Sequence, residues 1–149
     1  MLFRFNGTAY VVLGGSSSTA TDWGAKNSGG WLAAPTYTST VAATTTYASG
    51  NNLDVVNTNT GNWVTQTINS LRFNSTSAYT ATIASGNTLT IATGGILFGS
   101  SAASSTLTGG TIIPGAGREL VVFSSGNSLT INSVLGNSAG GATDVRSEE

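Results

Sequence analysis

Outside the C-terminal stretch the chain carries three carboxylates, Asp22, Asp54 and Glu119. A pair of carboxyl groups flanking one bond is the minimum for glycoside hydrolysis. Some parallel β-structures also cleave acidic polysaccharides with clustered Asp, or Asp with Arg and Lys. Here the three are far apart in sequence and lie in unlike motifs, so no catalytic pair is expected. Arg118-Glu119 precedes an apolar run and fits a surface ion pair, worth about 0–1 kcal/mol. Serine is plentiful, but there is no His to activate it and no Gly-x-Ser-x-Gly elbow. The absence of His and Cys removes the commonest general base, the commonest metal ligand and any thiolate site. The Gly94-Gly95 and Gly109-Gly110 steps lack a P-loop Lys and a following helix, so they read as turns. The expectation is therefore no catalytic residue, no cofactor and no metal site, with ligand-binding residues unassigned.

Three further features are candidates for binding. Trp23, Trp31 and Trp63 have rings that stack on sugars, although Trp is so often buried that an apolar cap for a first coil is the preferred reading. The Thr-x-Thr pairs Thr80/Thr82, Thr88/Thr90 and Thr106/Thr108 would suit an ice-binding face if they aligned. The third pair follows the second at more than twice the distance at which the second follows the first, so no single aligned face is evident in the sequence. Gly140-Gly141-Ala142-Thr143-Asp144-Val145 is a partial calcium-type nonapeptide that occurs once and lacks the next Gly, and it is set aside.

The composition limits what the elements around these residues can be. Thr, Ser, Asn and Gly make up just over half of the 149 residues, and only 7% are charged, against roughly a quarter in ordinary soluble domains. Disorder would need low hydrophobicity and high net charge. With 39% hydrophobic residues and a net charge of −1, the chain reads as folded, with a surface made polar by uncharged groups. Five scattered basic residues argue against nucleic acid as a partner. No apolar run approaches the length of a membrane-spanning helix. Asn6, Gly7 and Thr8 interrupt any signal-peptide core, so an export signal is expected outside this chain.

Internal repetition is the strongest pattern. Ser85-Gly86-Asn87-Thr88-Leu89-Thr90-Ile91 recurs 40 residues later as Ser125-Gly126-Asn127-Ser128-Leu129-Thr130-Ile131, and a looser copy, Ser49 to Val55, lies 36 residues before the first. Ile68-Asn69-Ser70-Leu71 likewise resembles Ile131-Asn132-Ser133-Val134. Gly and Asn tolerate the positive φ of a turn. The Leu-Thr-Ile that follows alternates as a half-buried strand does, with Leu89 and Ile91 inward and Thr88 and Thr90 outward. The same alternation is read in Tyr79 to Ile83, in Ile96-Leu97-Phe98 and in Leu120-Val121-Val122. Asp54 falls where the other copies carry Thr90 and Thr130, an outward position. Short strands separated by turns at such a period favour a solenoid of coils of roughly 20 residues, two per repeat. On that reading Leu53, Leu89 and Leu129 line up along one axis, and Asn and Thr stack in ladders between coils.

The run from Ile68 to Asn74, the Tyr-Thr-Ala-Thr-Ile strand, Ser85 to Gly99, the Leu107-Thr108-Gly109-Gly110-Thr111-Ile112 step and Gly117 to Phe123 together resemble the autotransporter-associated β-strand repeat proteins. The resemblance covers roughly residues 62–138, and more weakly Asp22-Trp23 and the Trp31 region. It implies a right-handed parallel β-helix passenger region, outside the cell or on the outer-membrane surface of a bacterium. The glycine-rich unit expected after Gly141 and a C-terminal barrel are both missing, which implies a shortened segment. The fold expectation is thus all-β, a right-handed parallel β-helix or β-solenoid with an irregular N-terminal β segment. Residues 1–61 form that capping segment, 62–138 the rungs and 139–149 a flexible tail. The expected role is structural and non-enzymatic, with adhesion implied by the resemblance. Expected partners are surface carbohydrate or, through exposed coil ends, further copies. The rivals are a polysaccharide-acting enzyme fragment and a Thr-rich ice-binding solenoid.

Overall fold

A computed structural model describes residues 2–5, 8–13, 21–26 and 28–148. The small-residue loop expected over Gly14 to Ala20 lies outside them. The described residues contain no helix, and none long and apolar enough to cross a membrane.

The N-terminal part is antiparallel. Strands β1 (Leu2–Phe5), β2 (Thr8–Leu13) and β3 (Asp22–Trp23) form one small sheet, and β4 (Ala25–Lys26) and β5 (Leu32–Ala33) form another. Everything after them is parallel. One face of the solenoid, face A, stacks β6 (Tyr37–Ser39), β7 (Asn52–Asp54), β9 (Ser70–Phe73), β12 (Gly95–Phe98), β15 (Leu120–Ser124) and β18 (Val145–Glu148). Face B stacks β10 (Thr80–Thr82), β13 (Ser105–Thr108) and β16 (Leu129–Ile131). Face C stacks β8 (Gln66–Ile68), β11 (Thr88–Ile91), β14 (Thr111–Pro114) and β17 (Val134–Leu135). From β9 onward the chain visits A, B and C in turn, making a β-solenoid of about three turns.

Each face obeys the two-residue period of a strand. On face B, Ala81, Leu107 and Ile131 share one inward column. On face C, Leu89 lies between Gln66 and Ile112, and Ile112 is followed by Leu135. On face A, Leu53, Leu71, Ile96 and Val122 form a third column. Phe73 and Phe98 stack next to it with ring centroids 6.2 Å apart. These side chains form one continuous core in which most members are fully buried. A buried Leu, Ile or Phe contributes roughly 1.5–3 kcal/mol, which no single coil secures alone.

Three expectations are corrected by the pairing register. One full coil carries the chain from Gln66 to Leu89 and on to Ile112 on face C, and from Thr80 to Thr106 and on to Thr130 on face B. These single coils are longer than expected, and two of them overshoot the 40-residue offset rather than filling it. At the N-terminal end the coils shorten, from Thr38 to Leu53 and from Leu53 to Leu71. Leu53, Leu89 and Leu129 point into one interior but sit on faces A, C and B, so they do not stack in a column. The 40-residue offset equals one coil plus two further faces, because the recurring turn-and-strand unit builds one side of the prism rather than one coil. Finally, β12 does not alternate: Gly95, Ile96, Leu97 and Phe98 are all buried, as expected of a parallel strand covered on both sides.

The parallel stack also extends past 62–138. It begins at Tyr37, and residues 145–148, expected within a flexible tail, pair in register with β15 through Leu120↔Val145 and Val122↔Ser147. A backbone that can complete a ladder gains hydrogen bonds over a solvated one. The charge of Arg146 does not oppose this, because it lies on an outward position of an edge.

Candidate functional site

The outer side of face A carries the densest polar chemistry. Asp54 and Arg72 occupy paired outward positions on β7 and β9. The Nη2 of Arg72 donates to Oδ2 of Asp54 at 2.5 Å, and Nη1 donates to Oδ1 of Asp22 and, at 3.1 Å, to the Thr21 carbonyl. The guanidinium carbon lies 3.6 Å from the centre of the Tyr37 ring, which is cation–π geometry. The Tyr37 hydroxyl in turn accepts the Trp23 backbone N–H at 3.1 Å. Arg72 thus ties the segment bearing Asp22 to the solenoid wall. Trp23 lies over the same wall: a Cβ built on Gly95 would stand 2.9 Å from its indole. The bare glycine makes room for the ring.

Sequence separation gave no reason to pair Asp22 with Asp54, yet the fold brings both to one guanidinium. The signal available was weak: an Arg at an outward strand position, which the polar half of the alternation accommodates. Chemically the arrangement is a clamp. Both carboxylates are spent on a permanent cation that fills the gap between them, where a hydrolase would need room for its substrate. Burial is the largest influence on Tyr37 and pushes its hydroxyl up to about 12, offset in part by the Trp23 hydrogen bond and Arg72. For Arg72, desolvation is the largest single influence and acts downward. The hydrogen bond and charge of Asp54, with the charges of Tyr37 and Asp22, outweigh it and hold the guanidinium above its ordinary value. Asp54 Oδ1 and Arg72 Nε are buried without a hydrogen-bond partner among the described residues.

The remaining candidates separate in space. Glu119, expected beside Arg118, pairs with Arg146 of β18 at 3.6 Å. The three Trp do not form one cap. Trp63 is fully buried in the core against Tyr47, edge to face at 6.0 Å, Trp23 lies on the outer wall, and Trp31 is 76% exposed. Among the described residues no three acidic side chains are grouped as metal ligands would be.

Asn and Thr link coils, though mostly through the backbone rather than as stacks of like side chains. The buried Asn59 accepts from the Thr82 N–H at 2.7 Å and donates to its carbonyl at 2.8 Å, replacing a strand at the edge of face B. Asn87 Oδ1 accepts from the Thr65 N–H at 2.8 Å, and Asn127 Nδ2 donates to the Ala102 carbonyl at 3.0 Å. Amide–amide contact across coils occurs from Asn69 to Asn52 at 2.7 Å.

The Thr pairs are where spacing misled most. Thr80/Thr82 and Thr106/Thr108 are in register on face B, with Thr130 continuing the first column, while Thr88/Thr90 belongs to face C. Alignment is set by the length of a full coil, which brings Thr80 to Thr106 and then to Thr130, not by the gap between successive pairs in the chain.

Comparison with protein-family models, with curated proteins and with solved structures finds no match for this chain.

Proposed function

We propose that this chain is a non-enzymatic structural segment of a bacterial surface or secreted passenger of the autotransporter-like kind, with adhesion a use of its outer faces. One observation carries the reading: the last coil presents a coil-to-coil interface to solvent. Leu129, Ile131, Leu135 and Val145 occupy the inward positions of β16, β17 and β18, continuing the core columns. Leu135 is 42% exposed and Val145 52%. All three strands are the edges of their sheets, and a sheet edge is the template on which another strand adds. The opposite end differs: it tapers as its coils shorten, and the segment beside β10 pairs with it partly through the side chains of Asn59 and Thr58. The polysaccharide-enzyme reading finds less support, because the two converging carboxylates are both bound by Arg72.

A second copy of the chain is expected to cover these exposed edges. Only another C-terminal end has a matching perimeter, since the tapered end is too narrow. Sedimentation velocity over a concentration series is expected to show a dimer that Leu135→Lys/Val145→Lys dissolves without loss of the β-type circular dichroism. A wild-type chain that stays monomeric at high concentration contradicts the open-end reading.

A further inference from the structure

We propose that the outer surface of face B binds ice. Thr80, Thr106 and Thr130 form one column across β10, β13 and β16, and Thr82 and Thr108 form a second beside it. Within a strand the two columns are separated by two residues, about 6.6 Å, and successive strands lie about 4.8 Å apart. The result is a two-dimensional net of hydroxyl and methyl groups on the length scale at which water repeats in a crystal of ice. Thr is β-branched and stiff at χ1, so the groups are held in place before any contact and little rotamer freedom is lost on binding. None of these five hydroxyls takes part in a hydrogen bond within the described structure, so all are available to water.

Charge selects this occupant over an ionic one. No charged residue lies on any strand of face B or face C. The charges carried by the solenoid strands are all on face A: Asp54, Arg72, Arg146 and Glu148. A charged head keeps its own mobile hydration shell, which a lattice of fixed water does not accommodate; a Thr net has no such shell to lose. Face C is the poorer candidate, because its columns pass from Thr67 and Thr90 to Ile113, and from Thr88 and Thr111 to Val134. The inference uses the outward side chains of face B, whereas the open end is formed by inward ones; β16 is the strand the two share.

The test is partition of the purified chain between slowly growing ice and the remaining liquid, with a non-binding protein of similar size as reference. The chain is expected to be enriched in the ice. The double variant Thr82→Lys/Thr108→Lys and the single variant Thr130→Lys, on the exposed last strand, are expected to lose that enrichment. Thr46→Lys, at an exposed position outside the face B strands, keeps it. Circular dichroism checks that each variant is folded; should the double variant not fold, Thr130→Lys reads the same face. Exclusion of the wild-type chain from ice, or equal entry of the folded lysine variants, overturns the proposal.

Discussion

Arg72 joins three parts of the chain: β9 that bears it, Asp54 one coil earlier, and the N-terminal segment through Asp22 and the Thr21 carbonyl. Its side chain is 12% exposed and that of Asp54 14%, so removing the cation leaves a largely desolvated carboxylate. Arg72→Ala is expected to cost about 3 kcal/mol, and Asp22→Asn, whose side chain is more exposed, about 1 kcal/mol. Urea unfolding monitored by circular dichroism measures both. Equal and negligible losses would show that the clamp is incidental. Tyr37 adds a pH dependence. Its folded value is raised to about 12 from an ordinary 10, so between those values the unfolded chain ionises while the folded chain does not. The contribution to stability is therefore intact below pH 10 and falls as pH rises from 10 to about 12. Tyr37→Phe keeps the ring beneath Arg72 and is expected to remove that part of the alkaline loss, read from unfolding midpoints across the range.

At the scale of elements, alternation made the strands legible. Tyr79 to Ile83, Thr88 to Ile91 and Leu107-Thr108 place their apolar side chains inward as the period of two requires. The turns were legible in part: Gly86, Gly94 and Gly109 have positive φ, whereas Gly50 and Gly126 of the other two Ser-Gly-Asn copies do not. Gly94 and Gly109 are the demanding ones: a Cβ would stand 1.9 Å from the Glu119 carbonyl oxygen at Gly94 and 2.2 Å from the Ile83 carbonyl oxygen at Gly109, where φ is +73°. Gly109→Ala is expected to destabilise by more than the roughly 1 kcal/mol of an ordinary glycine replacement, whereas Gly50→Ala, which meets nothing within 4 Å, changes little. Denaturant midpoints of the two variants distinguish these outcomes. Stacking register was not legible. Every side of the prism obeys the same turn-then-alternate rule, so a local copy such as Ser125 to Ile131 matches Ser85 to Ile91 without sharing its face. Register is decided by coil closure, which depends on corner lengths that carry no periodic signal. The clamp was hidden for a related reason: Asp22 reaches Arg72 only after the N-terminal segment folds onto face A. Leu97 shows the same covering, being apolar at a position that alternation assigns to solvent.

The whole molecule is a prism with unlike sides and unlike ends. Face A carries the strand charges, and part of its outer side is covered, with Trp23, Gly95, Leu97 and Val121 buried there. Faces B and C are neutral and rich in Thr. The N-terminal end tapers, while the C-terminal end exposes Leu135 and Val145. Low charge suits such a body: stacking brings outward residues of successive strands to about 4.8 Å, where like charges would repel and hydroxyls do not. All of this depends on which residues are neighbours across coils. The absence of native cysteine makes that directly measurable with introduced pairs. Parallel neighbours stand within the range of Cα separations that a disulfide spans, roughly 4.4–6.8 Å. Mild oxidation is expected to cross-link Thr106→Cys/Thr130→Cys, which are register partners on face B. It is expected to leave Thr90→Cys/Thr130→Cys, which the 40-residue repeat would stack but the fold places on different faces, as free thiols. Cross-linking of the second pair and not the first would contradict the coil register on which the solenoid, its open end and its Thr face all depend.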